Sequence, residues 1–131
     1  MTNFTLLVFV GGALGATLRE LVMLAVPNTV DGFPLDILVA NLVAAFLLGL
    51  VAALRSRQIA SEGVYMLVGT GITGGLSTFS SFAYGSSVLM TRSATGAVVA
   101  MTYVVISLAM GYIAVIVGMK IGRQSHLMRS E

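Results

Sequence analysis

Between positions 69 and 85 the chain reads GTGITGGLSTFSSFAYG, a stretch dense in groups that can solvate an ion without carrying charge. Ser77, Thr78, Ser80 and Ser81 supply hydroxyl donors, and Phe79 and Phe82 follow at a spacing that puts both rings on one helix face. A phenyl ring is positive at its edge, so two rings presented edge-on can stabilise a small anion. Further donors stand elsewhere in apolar surroundings: Asn41, and Tyr103 with Ser107 four residues on. Neutral donors of this kind can hold a small, strongly hydrated anion loosely enough to release it, the balance that conduction requires. Arg19 is the one cation set within an apolar run. It is either an interfacial residue reaching for water or a fixed positive charge at the mouth of an anion path.

These residues need a helical membrane scaffold to hold them. The chain has 131 residues, 57% hydrophobic and 9% charged, with a mean hydropathy of +1.00. Soluble domains average roughly 25% charged residues. The class is therefore an all-α integral membrane protein, a single membrane domain over 1–131. The seven Lys and Arg residues are too scattered for a nucleic-acid surface, and juxtamembrane anchoring accounts for them. Zero cysteines exclude disulfides and thiolate metal sites. The sole histidine, His126, falls in the polar tail, so neither a Ser–His enzyme nor a histidine metal centre is supported.

A crossing helix needs about 20 residues, and spans are expected at about 4–26, 35–54, 63–90 and 95–119. Pro27, Asp31, Gly32, Pro34 and Asp36 mark the first loop. The first apolar run lacks a basic leader and is expected to be a retained span. Arg55, Arg57, Lys120, Arg123 and Arg129 fall on one side, and Arg19 and Arg92 on the other, which leans towards cytoplasmic termini. In span one, Gly11, Gly12, Gly15 and Ala16 make a smooth packing face. Interhelical packing is likewise expected to explain Gly111 in span four. Glu20, next to Arg19, projects about 100° away around the helix and is expected to be a poor partner. Asn41 has two roles open to it, a hydrogen bond between helices or the lining of a path.

Span three is longer than one straight crossing needs, and a break is expected at Gly74–Gly75. Ser77 or Thr78 would then cap the second half. Its amides form a partial positive end, while the first half ends in free carbonyls suited to a cation such as Na⁺. Backbone freed inside a bilayer must face protein, water or an ion, and broken helices are where transporters and channels place their ion sites. No carboxylate lies deep in a span, which counts against the alternative of a small four-span proton-coupled multidrug or cation exporter. Four helices leave little room for a pore, so a homodimer is the simplest assembly.

Gly11-Gly12-Ala13-Leu14-Gly15-Ala16-Thr17-Leu18-Arg19, then Asn41, then Gly74-Gly75-Leu76-Ser77-Thr78-Phe79-Ser80-Ser81-Phe82 form an ordered signature. In it the chain resembles the Fluc (CrcB) family of fluoride channels across all four spans. The resemblance implies an antiparallel, dual-topology homodimer in the bacterial inner membrane that passively exports toxic cytoplasmic fluoride. It implies fluoride pathways lined by Asn41, Phe79, Ser80, Ser81, Phe82, Tyr103 and Ser107, with Arg19 in the vestibule. It also implies a structural Na⁺ at the dimer interface, held by the backbone carbonyls of Gly74 and Ser77. Glu20 stands where the family often has tyrosine.

Overall fold

The computed structural model describes residues 2–27, 33–92 and 94–124. Asp31, Gly32, Ser93, His126 and Arg129 lie outside these residues. All regular structure among the described residues is helical: α1 (Thr2–Ala25), α2 (Leu35–Ser56), α3 (Glu62–Val64), a π-helical segment (Tyr65–Ile72), α4 (Thr73–Leu76), α5 (Phe79–Arg92) and α6 (Gly96–Gln124). Three stretches are long and apolar enough to cross a membrane unaided: Asn3–Ala25, Leu35–Ser56 and Gly96–Gln124. The remaining apolar stretch is divided, with α3, the π-helical segment and α4 forming one rod and α5 a second.

The division falls at Ser77–Thr78, not at Gly74–Gly75. Ser77 is extended, at φ −75° and ψ 152°, while Gly74 and Gly75 stay inside α4. Gly75 serves close packing instead: a Cβ there would run into the carbonyl of Gly12 and the amide of Ala16. Gly15 and Gly11 do the same from the other side, where a side chain would strike the carbonyls of Ile72 and Leu67. The small face of α1 is thus a bed for the first rod, backbone against backbone.

The π-helical segment ends on an exchange of donors at Thr73. In an α-helix the amide of Thr73 would bond the carbonyl of Gly69. Here that amide turns to Val68 and Thr70, and the Thr73 hydroxyl takes the Gly69 carbonyl in its place. The Gly69 carbonyl thus keeps a donor although the turn is wider than that of an α-helix.

Helices α2 and α6 run parallel and close. Phe46 meets Gly118 and Leu50 meets Gly122, each step advancing one turn along both helices. Gly49 lies against Val115 in the same seam. Gly111 does not share this role, since nothing lies within 4 Å of the Cβ it lacks. The packing expected there belongs to Gly118 and Gly122. One core cluster joins Leu38, Leu89, Ala100 and Tyr103, and another joins Ala40, Ala44 and Leu76. Large apolar side chains cover much of the outer surface, as a lipid-facing protein requires.

Candidate functional site

The break is held open by one side chain. Asn41 Oδ1 accepts the Thr78 amide at 2.8 Å, and Asn41 Nδ2 donates to the Thr78 carbonyl at 3.3 Å. An unbroken helix would turn the Thr78 amide to the carbonyl of Gly74, so the Asn41 bond releases that carbonyl from its helical donor. Thr78 also caps the second rod: its Oγ1 accepts the Ser81 amide at 3.2 Å, the arrangement of an N-cap residue. The same hydroxyl donates to Ser81 Oγ at 3.0 Å and lies 3.3 Å from Ser80 Oγ. Thr78 itself is buried, while Ser77 and Gly74 are exposed.

A cavity of about 350 Å³ opens against this break, with Asn41, Ser77, Thr78, Phe79, Phe82 and Ser107 among its lining residues. Asn41 therefore fills both roles left open for it, bonding across helices and facing the cavity. Gly111 and Leu108 continue the wall along α6, and Ala44, Ala45 and Leu48 along α2. No charged side chain lines it among the described residues. Phe79 is 80% exposed on the protomer, and its ring centroid lies 6.0 Å from that of Phe82. Phe82 in turn stacks on Tyr103 at 5.3 Å, with the rings tilted by 35°. Tyr103 is fully buried, and Phe33 meets it edge-on at 5.1 Å.

The structure thus brings Asn41, Phe79, Phe82 and Ser107 to one cavity, with Tyr103 packed against Phe82. Ser80 and Ser81 are tied to the Thr78 hydroxyl and do not line the cavity. Arg19 stands apart from it. Its Nη1 donates to the carbonyl of Gly75 at 3.1 Å, near the end of the first rod. A cation there complements the partial negative charge of a helix C-terminus. Glu20 lies 3.8 Å from Arg19 Nε, a long contact between partly exposed groups that contributes little. Of the two caps the sequence offered, Ser77 and Thr78, the structure uses Thr78, on which Asn41, Ser80 and Ser81 also converge. Sequence reasoning gave the Thr73 hydroxyl no role, and it takes the Gly69 carbonyl at the end of the π-helical segment.

These helices and their exposed apolar surfaces define a multi-pass protein of the cell membrane. Residues 6–119 match the family described as CrcB-like protein, Camphor Resistance (CrcB), and the chain belongs to that family. It is 52% identical over 122 residues to a Yersinia pseudotuberculosis protein named fluoride-specific ion channel FluC 3, covering 93% of this chain and 90% of the relative. A Brucella melitensis protein named fluoride-specific ion channel FluC 2 is 55% identical over 125 residues, covering 95% of this chain and 46% of the relative. The chain spans about half the length of the Brucella relatives it matches. A Deinococcus radiodurans protein named fluoride-specific ion channel FluC is 37% identical over 114 residues, covering 86% of this chain and 89% of the relative.

Proposed function

We propose that this chain forms a fluoride-selective channel that exports the anion passively across the cell membrane. The observation that carries the proposal is the cavity at the break, lined by neutral donors and aromatic rings with no charged side chain among the described residues. Such a lining suits an anion that must be desolvated and then released. Relatives named for fluoride across nearly the whole chain support the choice of anion. In this proposal Asn41, Phe79, Phe82 and Ser107 line the path. Tyr103 supports it from behind Phe82, Ser80 and Ser81 hold Thr78 in place, and Arg19, outside the cavity, would place its charge in the vestibule that leads to it.

The protomer presents one wall of the cavity, and Phe79 is exposed on it. The proposal therefore includes a homodimer whose second copy closes the path. An antiparallel pair in dual topology would bring the two breaks together. The residues at the break fit a structural Na⁺: the Gly74 carbonyl has lost its helical donor, Gly74 and Ser77 are exposed, and neutral carbonyl oxygens suit a hard monovalent ion. Gly74 and Ser77 of each copy would hold it and fix the two breaks against one another.

The deciding experiment is ion efflux from liposomes containing the purified protein. Fast fluoride efflux with negligible chloride efflux is expected, falling when sodium is replaced by a large organic cation. Equal chloride flux, or an absolute requirement for a proton gradient, would overturn the proposal. Dual topology has its own test, because the chain lacks cysteine. A single cysteine placed between α2 and α3 should be labelled by impermeant reagents from both faces of the membrane.

A further inference from the structure

Four aromatic rings form one ladder that ends at the cavity. Phe33, in the segment that enters α2, meets Tyr103 with centroids 5.1 Å apart and planes at 87°. Tyr103 lies 5.3 Å from Phe82, and Phe82 lies 6.0 Å from Phe79, with tilts of 35° and 38°. These separations fall where ring quadrupoles attract. The Phe33 end is tied to the helix that follows it. The Leu35 amide donates to the Phe33 carbonyl at 2.8 Å, and the Leu38 amide donates to the Pro34 carbonyl at 3.2 Å. Leu38 and Tyr103 share a core cluster, with Phe33 and Phe82 both packed against it.

Pro34, the next residue, acts on the backbone of α5. It is buried, and its ring lies 3.0 Å from the Cβ that Gly85 lacks. Gly85 follows Phe82 by three residues, so it stands about one turn along α5 on nearly the same face. One short segment thus holds the second rod twice, Pro34 at the backbone and Phe33, through buried Tyr103, at a ring. The orientation of that ring has a chemical consequence, because a phenyl group is negative on its face and positive at its edge. A ring that turned freely beside an anion path would attract the ion in one orientation and repel it in another. Phe82 lines the cavity, and its stack on Tyr103 restricts that rotation.

We propose that Phe33 is a positioning residue for the ion path: through Tyr103 it holds the Phe82 ring in one orientation towards the cavity. That role rests on the reading of the cavity as an anion path. The ladder itself does not depend on that reading, and it can be tested with no fluoride ion present.

A para-fluorophenylalanine placed at position 82 alone reports on the ring by fluorine NMR of the full chain in fluoride-free detergent. With Phe33 in place, a single narrow resonance displaced by the Tyr103 ring current is expected. Phe33→Leu should broaden that resonance and move it towards that of the free amino acid, and Phe33→Tyr, which keeps a ring, should restore it. The same label at position 46, in the seam between α2 and α6, should not respond, which separates loss of one contact from a general loosening of the fold. In liposomes Phe33→Leu should lower fluoride efflux several-fold, and it should add nothing to the loss in a Phe82→Ile background. An unchanged resonance at position 82, equal changes at positions 82 and 46, or additive losses of efflux would overturn the proposal. Should Phe33→Leu fail to fold, Phe33→Met, which also removes the ring, carries the same measurements. A protein that conducts no fluoride but gives the expected spectra would overturn the anion path and leave Phe33 as the residue that holds Phe82.

Discussion

The two rods either side of Ser77–Thr78 are built on opposite terms. The first, residues 62–76, lies against α1 with glycine facing glycine, and Gly71 and Gly75 approach α1 so closely that no side chain could fit. The second, α5, packs mainly on α6; its own glycine, Gly85, sets an added Cβ 3.0 Å from the Pro34 ring, and backbone meets backbone only at its far end, where Gly96 of α6 lies against the carbonyl of Leu89. Its leading residues, Phe79 and Ser80, are exposed. Backbone-on-backbone packing cannot be adjusted by rotating a side chain, so the first rod is a fixed platform. Side-chain packing can be adjusted, and a ring on the exposed end of α5 has room to reorient. A channel needs both: an anchored point at which helix geometry is broken, and beyond it groups that an ion can meet and leave.

The largest expected effect falls on the platform. Gly75→Val or Gly15→Val would press a branched side chain into backbone of the facing helix, and overpacking of this kind costs about 1–3 kcal/mol or more. Gly85→Ala, on the second rod, needs only a small shift of the Pro34 ring and should cost less than 1 kcal/mol, roughly what volume-tolerant sites show. Thermal unfolding in detergent, read by loss of the folded elution peak, measures both. Equal losses for Gly75 and Gly85 would erase the contrast between the rods.

Next comes the joint itself. Asn41→Ala removes the partners of both the amide and the carbonyl of Thr78, and an unsatisfied buried group costs about 1–3 kcal/mol. Asn41→Asp keeps the acceptor for the amide and loses only the donor to the carbonyl, so it should lie between Asn41→Ala and the unsubstituted protein in stability. The ordering is checked by the same unfolding measurement, and fluoride efflux should fall in both variants.

A smaller structural effect with a larger functional one is expected at the rings. Phe79→Ile and Phe82→Ile should leave the oligomer intact on a sizing column while reducing fluoride efflux. Phe82→Ile should also lower stability more than Phe79→Ile, because Phe82 stacks on buried Tyr103 and Phe79 is exposed. Unchanged efflux in both variants would remove the second rod from the path.

The smallest stability change is predicted at Gly74. Nothing in the protomer lies within 4 Å of an added Cβ there, and alanine is the better helix former by about 1 kcal/mol. Gly74→Ala should therefore unfold no more readily as an isolated chain. If two copies meet at this glycine, the same change should weaken dimerisation and sodium-dependent efflux. Normal dimerisation and efflux in Gly74→Ala would move the contact between copies elsewhere.

Composition alone determined that this chain is a helical membrane protein, because so few charges over so much apolar sequence admit no soluble core. The crowding of glycine and hydroxyl residues between 69 and 85 located the broken helix, because lipid cannot satisfy freed backbone groups. Residue types also marked Asn41, Phe79, Phe82 and Ser107, which the fold collects at one cavity. What sequence could not decide was which residues break the helix and which merely pack. Glycine serves both ends: it frees the backbone, and it lets two backbones touch. Only the neighbouring helix distinguishes them, and α1 claims Gly75 for packing while Asn41, from α2, draws the Thr78 amide out of the helix and so fixes the break at Ser77–Thr78. The same holds for the isolated polar groups. Asp36 read as part of a turn, and Arg19 as either an interfacial residue or an entrance charge; packing buries the first and gives the second a carbonyl of α4. Those outcomes depend on contacts between residues far apart in the chain, and tertiary packing alone supplies them.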